Sequence, residues 1–151
     1  MLFAVLLFTP IAQAEPEIKV VINYYDVSGT SGRELKYQMK KLGPKGFWAY
    51  ARWNVRWSSD CDLSVLITYT YPRLKNPSEV PTGVQINWQL MMEKLVLHEE
   101  GHGQHGINAA TEIEQAGCKG SVKIVKRWAA QDKSYDAETR HGRTQGIYLA
   151  D

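Results

Sequence analysis

The sequence lacks the charge clusters, repeats and low-complexity segments that mark several classes of protein. Its 18 Lys and Arg residues are interspersed with 16 Asp and Glu residues, and no basic run is longer than a pair. A nucleic-acid-binding surface usually shows a clustered basic footprint, so the charge pattern argues against one. With no linker and 151 residues, the chain is expected to form one domain.

Cysteine is scarce, and the two that occur are not arranged as metal ligands. Cys61 and Cys118 have no Cys or His partner at the spacing of a zinc-ligand pair. In an exported protein an even pair of cysteines favours a disulfide. We therefore expect Cys61 and Cys118 to be joined and to link two elements that are far apart in the sequence.

The longest apolar run lies at the N-terminus, and it is too short to span a bilayer. Residues 1–14 are interrupted by Pro10 and end in Ala12-Gln13-Ala14, a small-x-small cleavage pattern, although no Lys or Arg precedes the run. We predict a secretory signal peptide over residues 1–14 and a single mature domain over residues 15–151. The mature chain would have no membrane span and would be secreted or periplasmic in a bacterium.

Patterns of period two predict three strands. Residues 17–25 are rich in β-branched and aromatic side chains, whereas residues 48–57 and 62–71 alternate apolar with polar positions. The short loop between the last two segments predicts an antiparallel hairpin. A polar loop is expected over residues 72–81.

Helical periodicity and capping residues predict three helices. The first begins at Thr30 or Ser31 and ends before Gly43-Pro44. A long helix is predicted over residues 84–116 and a last one over residues 121–136. The apolar face of the long helix is assigned to Ile86, Leu90, Leu97 and their neighbours. The predicted fold class is α+β, with a small antiparallel sheet packed against this long helix and one or two others.

The long predicted helix carries His98-Glu99-Glu100-Gly101-His102, an HExxH motif. Residues four apart stand on one helical face, so two imidazoles in this arrangement can bind one zinc ion. Glu99 would then act as general base on zinc-activated water. The motif thus predicts Zn2+ as the cofactor, His98 and His102 as metal ligands and Glu99 as the catalytic residue, against the alternative of a polar helix face without chemistry.

A catalytic zinc site needs a third protein ligand, and several residues compete for that role. His141 is preferred because it comes from a separate segment and can complete a tetrahedral face. His105 follows on the motif helix, where a straight helix does not easily aim it at the same ion. Glu112, further along that helix, is the next alternative.

Other residues carry weaker expectations. Asp136 either orients a ligand histidine or is a surface acid, and Tyr135 or Arg143 either stabilises an oxyanion or has no role in the site. Arg52 and Arg56 are candidates for binding a substrate carboxylate. A strand edge beside the site would be able to pair with an extended peptide.

The glycines of the motif helix are unusual, because Gly destabilises a helix interior relative to Ala. At Gly101 a side chain would crowd the substrate or another backbone. Gly103 and Gly106 are expected only to be tolerated by a well-packed helix. The five tryptophans are expected mainly in the core.

Several ordered blocks together resemble a known bacterial family. The blocks are Tyr24-Tyr25-Asp26-Val27-Ser28-Gly29, Arg52-Trp53-Asn54-Val55-Arg56-Trp57, the HExxH motif, Tyr135-Asp136 with Thr139, His141-Gly142, and Thr144-Gln145-Gly146. The family is otherwise of unknown function and is described as predicted secreted zinc-dependent proteases. The resemblance covers nearly all of the mature chain. It implies zinc at His98 and His102, Glu99 as catalytic base and His141 within the site, and it does not include His105.

The sequence therefore favours an exported zinc-dependent peptidase or hydrolase, a metallopeptidase of the HExxH type, acting on a peptide or protein substrate. The alternative from another class is a non-catalytic zinc-binding periplasmic module for envelope assembly or binding, with four protein ligands closing the site. Hydrolysis of amides in cell-wall peptides is a third possibility, since the same chemistry serves it.

Overall fold

The computed structural model describes residues 15–151, so the predicted signal peptide lies outside the described residues. This part of the chain has the α+β class predicted from the sequence. Its elements in chain order are β1 (Glu17–Val27), α1 (Gly32–Leu42), β2 (Tyr50–Trp57), β3 (Leu63–Leu74), α2 (Thr82–Gln115) and α3 (Ser121–Thr139). None of the helices within residues 15–151 has the length and apolarity needed to cross a membrane.

The three strands form one sheet in the order β1-β3-β2. β2 and β3 make the predicted antiparallel hairpin, but β1 runs parallel to β3, so the sheet is mixed rather than wholly antiparallel. Parallel neighbours need a crossover connection, and α1 with β2 supplies it. Within residues 15–151, the outer edge of β2 has no strand partner.

The alternation predicted for the last strand is confirmed. Five β3 side chains on one face are buried in the core: Leu63, Val65, Ile67, Tyr69 and Tyr71. The strand continues past its predicted end to Leu74. Pairing between β2 and β3 extends only as far as Thr70, so β3 has a single neighbour at Pro72 and tolerates a residue without an N–H there.

The buried face of α2 is not the predicted one. The three residues named for it are more than half exposed: Ile86 at 53%, Leu90 at 56% and Leu97 at 60%. The core instead contains Trp88, Met91 and Leu95. Both sets recur at helical spacing, so periodicity alone did not separate them. The buried set is the one that shares a helical face with the motif histidines, since Leu95 precedes His102 by two turns.

The expected disulfide joins Cys61 to Cys118, which are 57 residues apart in the sequence. It ties the loop between β2 and β3 to the turn between α2 and α3. Gly117, with φ of 55°, ends α2, and the Cys118 N–H donates to the Ile113 carbonyl at 2.9 Å. The disulfide therefore fixes the turn from which α3 begins.

Candidate metal centre

α2 lies unusually close to the sheet at the HExxH motif. A Cβ at Gly103 would overlap Tyr69, and one at Gly106 would overlap Trp53. The expectation that these two glycines are merely tolerated is wrong, because the close approach requires them. Three residues of the motif are consequently buried, with exposures of 3% for His98, 5% for Glu99 and 7% for His102.

Three acceptor atoms converge beside this helix. His98 Nε2 and His102 Nε2 are 3.3 Å apart. The Oδ1 atom of Asp136, on α3, is 3.3 Å from each of these two nitrogens. The three atoms form a nearly equilateral triangle, and α2 and α3 each contribute to it.

The other nitrogen of each ring has its own partner. Asp132 Oδ1 accepts from His102 Nδ1 at 2.9 Å. Gln145 Oε1 lies 2.8 Å from His98 Nδ1, while Gln145 Nε2 donates to the Tyr135 hydroxyl at 2.9 Å. Because Gln145 uses its amide N–H elsewhere, its oxygen accepts the His98 Nδ1 proton. In their neutral forms, with Nδ1 protonated, both rings therefore turn an Nε2 lone pair towards the triangle.

The triangle fits a zinc ion on its donor chemistry and its dimensions. With the rings in those neutral forms, two nitrogen lone pairs and a carboxylate oxygen face one another, an arrangement that a cation stabilises. Tetrahedral ligands at about 2.0–2.1 Å from zinc lie about 3.3–3.4 Å from one another. The observed separations of 3.3 Å match that spacing.

Asp136 is the residue whose position the sequence left most open. Its expected roles were partner of a ligand histidine or surface acid, yet its carboxylate meets both Nε2 atoms and its side chain is 33% exposed. No spacing rule connects it to the HExxH motif, because the contact depends on how α3 folds back along α2. The signal that was present is the Tyr135-Asp136 block of the family resemblance.

His141 and His105 occupy different positions at the edge of the triangle. His141 Nδ1 is 3.2 Å from Asp136 Oδ1, and its side chain is 58% exposed and lies against the Phe47 ring. It is not one of the compact group of His98, His102 and Asp136. His105 Nδ1 lies 2.7 Å from Asp132 Oδ1, so Asp132 joins it to His102.

Glu112 is not brought to the centre. Its carboxylate accepts from Trp128 Nε1 at 2.9 Å and pairs with Arg127.

Gly101 faces the Tyr135 side chain. A Cβ added at Gly101 would lie 2.5 Å from the Tyr135 hydroxyl oxygen. The crowding at Gly101 therefore comes from a side chain of α3 and not from another backbone, and Tyr135 in turn stacks on the His98 ring at 5.0 Å.

Glu99 has the electrostatic environment of a proton acceptor that works near neutral pH. Burial raises the pKa of Glu99 to about 7, although the neighbouring His102 and a hydrogen bond from the Ala51 backbone oppose that rise. Burial also lowers the pKa of His98. For His102, burial acts in the same direction, but the Asp132 hydrogen bond and charge outweigh it and raise the pKa.

A cleft of about 840 Å³ opens over the motif. Its lining includes eight consecutive residues, 46–53. Successive side chains of a strand point to opposite faces of the sheet, so a cleft that contacts every one of them lies at the edge of the strand. The cleft therefore runs along the free edge of β2. Arg52 and Arg143 line this cleft. Arg56 does not line it, and its Nε donates to Asn54 Oδ1 at 3.2 Å.

The profile of a family described as "Bacterial protein of unknown function (DUF922)" matches residues 22–142. The chain belongs to this family. The matched residues reach from β1 to His141-Gly142 and contain the HExxH motif and Asp136. No curated protein and no solved structure matches the chain.

Gln145 offers a test of how the His98 ring is held. Replacing Gln145 with Ala should weaken zinc binding by roughly 10–100-fold, because the His98 Nδ1 proton loses its acceptor and the ring its fixed orientation. The measurement is zinc affinity by competition with a chromogenic chelator. Gln131→Ala, the same change at an exposed α3 position outside the cleft lining, is the matched control and should bind zinc as the unaltered protein does. Equal affinities for the two variants would contradict the orienting role.

Proposed function

We propose that this protein is an exported zinc-dependent hydrolase, and that its substrates are peptides or proteins. The observation that carries the proposal is the triangle of His98 Nε2, His102 Nε2 and Asp136 Oδ1, with separations of 3.3 Å, beside the buried Glu99. When bound, zinc would supply Lewis-acid chemistry that makes water a nucleophile at neutral pH.

In this proposal His98, His102 and Asp136 hold the metal, and Gln145 and Asp132 orient the two rings. Glu99 accepts a proton from the attacking water and returns it to the leaving amine, a role suited to a pKa of about 7. The Tyr135 hydroxyl accepts from Gln145 and keeps its own proton available to a substrate oxygen.

The free edge of β2 supports a peptide as the substrate. An extended chain placed along this edge would add a strand to the sheet through its main-chain groups. Ala51 of β2 and Glu99 both line the cleft, so the base lies next to that edge. A peptide bond paired with β2 would therefore lie beside the proposed catalytic residue.

The disulfide supports an exported location. Disulfides persist in oxidising compartments and are rare in the cytosol, and Cys61 and Cys118 form one here. The prediction of a signal peptide over residues 1–14 agrees with this location. Periplasm and extracellular space are equally compatible with a disulfide.

One observation favours the non-catalytic alternative. His141 Nδ1 lies 3.2 Å from Asp136 Oδ1, which is also a ligand-to-ligand spacing. If His141 joined the other three side chains, four protein ligands would close the site and leave no position for water. The protein would then be a zinc-binding periplasmic module.

Metal content and coordination of the purified protein test the proposal directly. We expect one zinc per chain, with three protein ligands and an exchangeable fourth position by X-ray absorption spectroscopy, and cleavage of a peptide library monitored by mass spectrometry. A chelator should abolish cleavage and added zinc should restore it. Absence of zinc, or four protein ligands without cleavage, would refute the catalytic proposal.

A further inference from the structure

Cationic side chains surround the cleft on several sides. Lys36 and Lys40 stand one turn apart on α1, Lys133 lies between Asp132 and Asp136 on α3, and Arg143 follows α3. These residues come from separate segments, so no basic run in the sequence reveals them. The whole chain has a formal charge of only +2, and the rim is thus a local concentration of positive charge.

Most of this charge has no internal counterion. Lys36 Nζ pairs with Asp151 at 2.8 Å. In the part of the chain that the structure describes, Lys40, Lys133 and Arg143 form no salt bridge. Three long cationic side chains are consequently free to bind an anionic group that enters the cleft.

The acidic residues of the cleft cannot serve as those counterions, since all three belong to the proposed metal centre. Glu99 is buried, Asp136 meets the two Nε2 atoms, and Asp132 accepts from His102 and His105. The lining contains no other carboxylate. Negative charge is therefore confined to the centre, and the rim is positive.

We propose that the cleft selects acidic peptides, with Asp or Glu side chains near the scissile bond binding to Lys40, Lys133 and Arg143. This inference rests on the proposed function and adds the substrate class. Complementary charge of this kind increases the association rate and suppresses basic competitors. A peptide is favoured over other polyanions because the same cleft has a free strand edge and the exposed aromatic rings of Phe47, at 40%, and Tyr148, at 67%.

Binding of three matched peptide pools tests the proposal without relying on turnover. The pools are fluorescent octapeptides, randomised except for two positions that are both Glu, both Gln or both Lys. They are titrated against zinc-loaded Glu99→Gln protein at low and high salt, with anisotropy as the readout. We expect the Glu pool to bind about tenfold more tightly than the Gln pool at low salt, and this preference to shrink at high salt.

The triple variant Lys40→Gln, Lys133→Gln, Arg143→Gln should remove most of the preference while leaving zinc affinity unchanged. Lys123→Gln, at an exposed α3 position outside the cleft lining, is the matched control and should retain the preference. Equal binding of the three pools would overturn the acidic selectivity and leave the peptidase proposal standing. No binding of any pool would refute both. Displacement of the Glu pool by polyphosphate as readily as by the unlabelled peptide would show a general anion surface and refute the peptide class.

Discussion

The Glu99→Gln protein should lose turnover by at least about 100-fold and keep its zinc. General acid–base catalysis contributes roughly 10²–10⁴-fold to a rate, and Gln preserves the shape of Glu but cannot accept the proton. The side chain is 5% exposed and burial already raises its pKa, so removal of its charge should not lower the free energy of unfolding. Peptide cleavage, zinc content and thermal unfolding are measured on the same preparation.

Glu100→Gln is the matched control for this experiment. Glu100 is the next residue of α2, and it is exposed and does not line the cleft. Its replacement makes the same chemical change and should leave cleavage unaffected. Retained cleavage in Glu99→Gln would remove Glu99 from the mechanism, whereas equal losses in both variants would point to a general effect of charge.

The Asp136→Asn protein should lose zinc affinity by more than about 100-fold, above the usual range for groups that only orient a ligand. Asn keeps the size of the side chain but removes the charge that meets both Nε2 atoms at 3.3 Å. The His141→Ala substitution should lower zinc affinity by about tenfold or less, because His141 contacts Asp136 from the exposed side. Isothermal titration or chelator competition supplies both numbers.

The losses of zinc affinity in Asp136→Asn and His141→Ala together identify the third ligand. A large loss for His141→Ala with a small one for Asp136→Asn would establish His141, as predicted from the sequence. Large losses for both would favour four protein ligands and the non-catalytic module. Glu138→Gln, an exposed α3 residue two positions from Asp136, controls for loss of a carboxylate on that helix and should bind zinc normally.

Local patterns predicted the elements of this fold well. The alternation of Leu63 to Tyr71 depends only on which face of β3 meets the core, and the structure buries that face. The sheet was harder to predict, because the parallel pairing of β1 with β3 depends on where the chain returns after α1. The prediction of the buried face of α2 was wrong for a similar reason. Leu90 and Met91 are both apolar, and only the position of the sheet decides which of them is buried.

In the candidate site, too, local sequence patterns predict some residues, whereas others depend on how the chain folds. His98, Glu99 and His102 share one turn of one helix, so spacing alone brings them together. Asp136, Asp132 and Gln145 reach the same place only because α3 and the turn after it fold back along α2. The requirement for Gly103 and Gly106 likewise depends on Tyr69 and Trp53, which are distant in the sequence.

The covalent loop closed by Cys61 and Cys118 separates the residues of the proposed metal centre into two groups. β3 and the two motif histidines lie inside the loop and remain tethered to the sheet when α3 opens locally. Asp136, His141 and Gln145 follow Cys118 and would depart together, because they belong to one continuous segment. Detachment of that segment would provide a route for metal exchange, so local unfolding of α3, without global unfolding, should be enough to accelerate zinc dissociation.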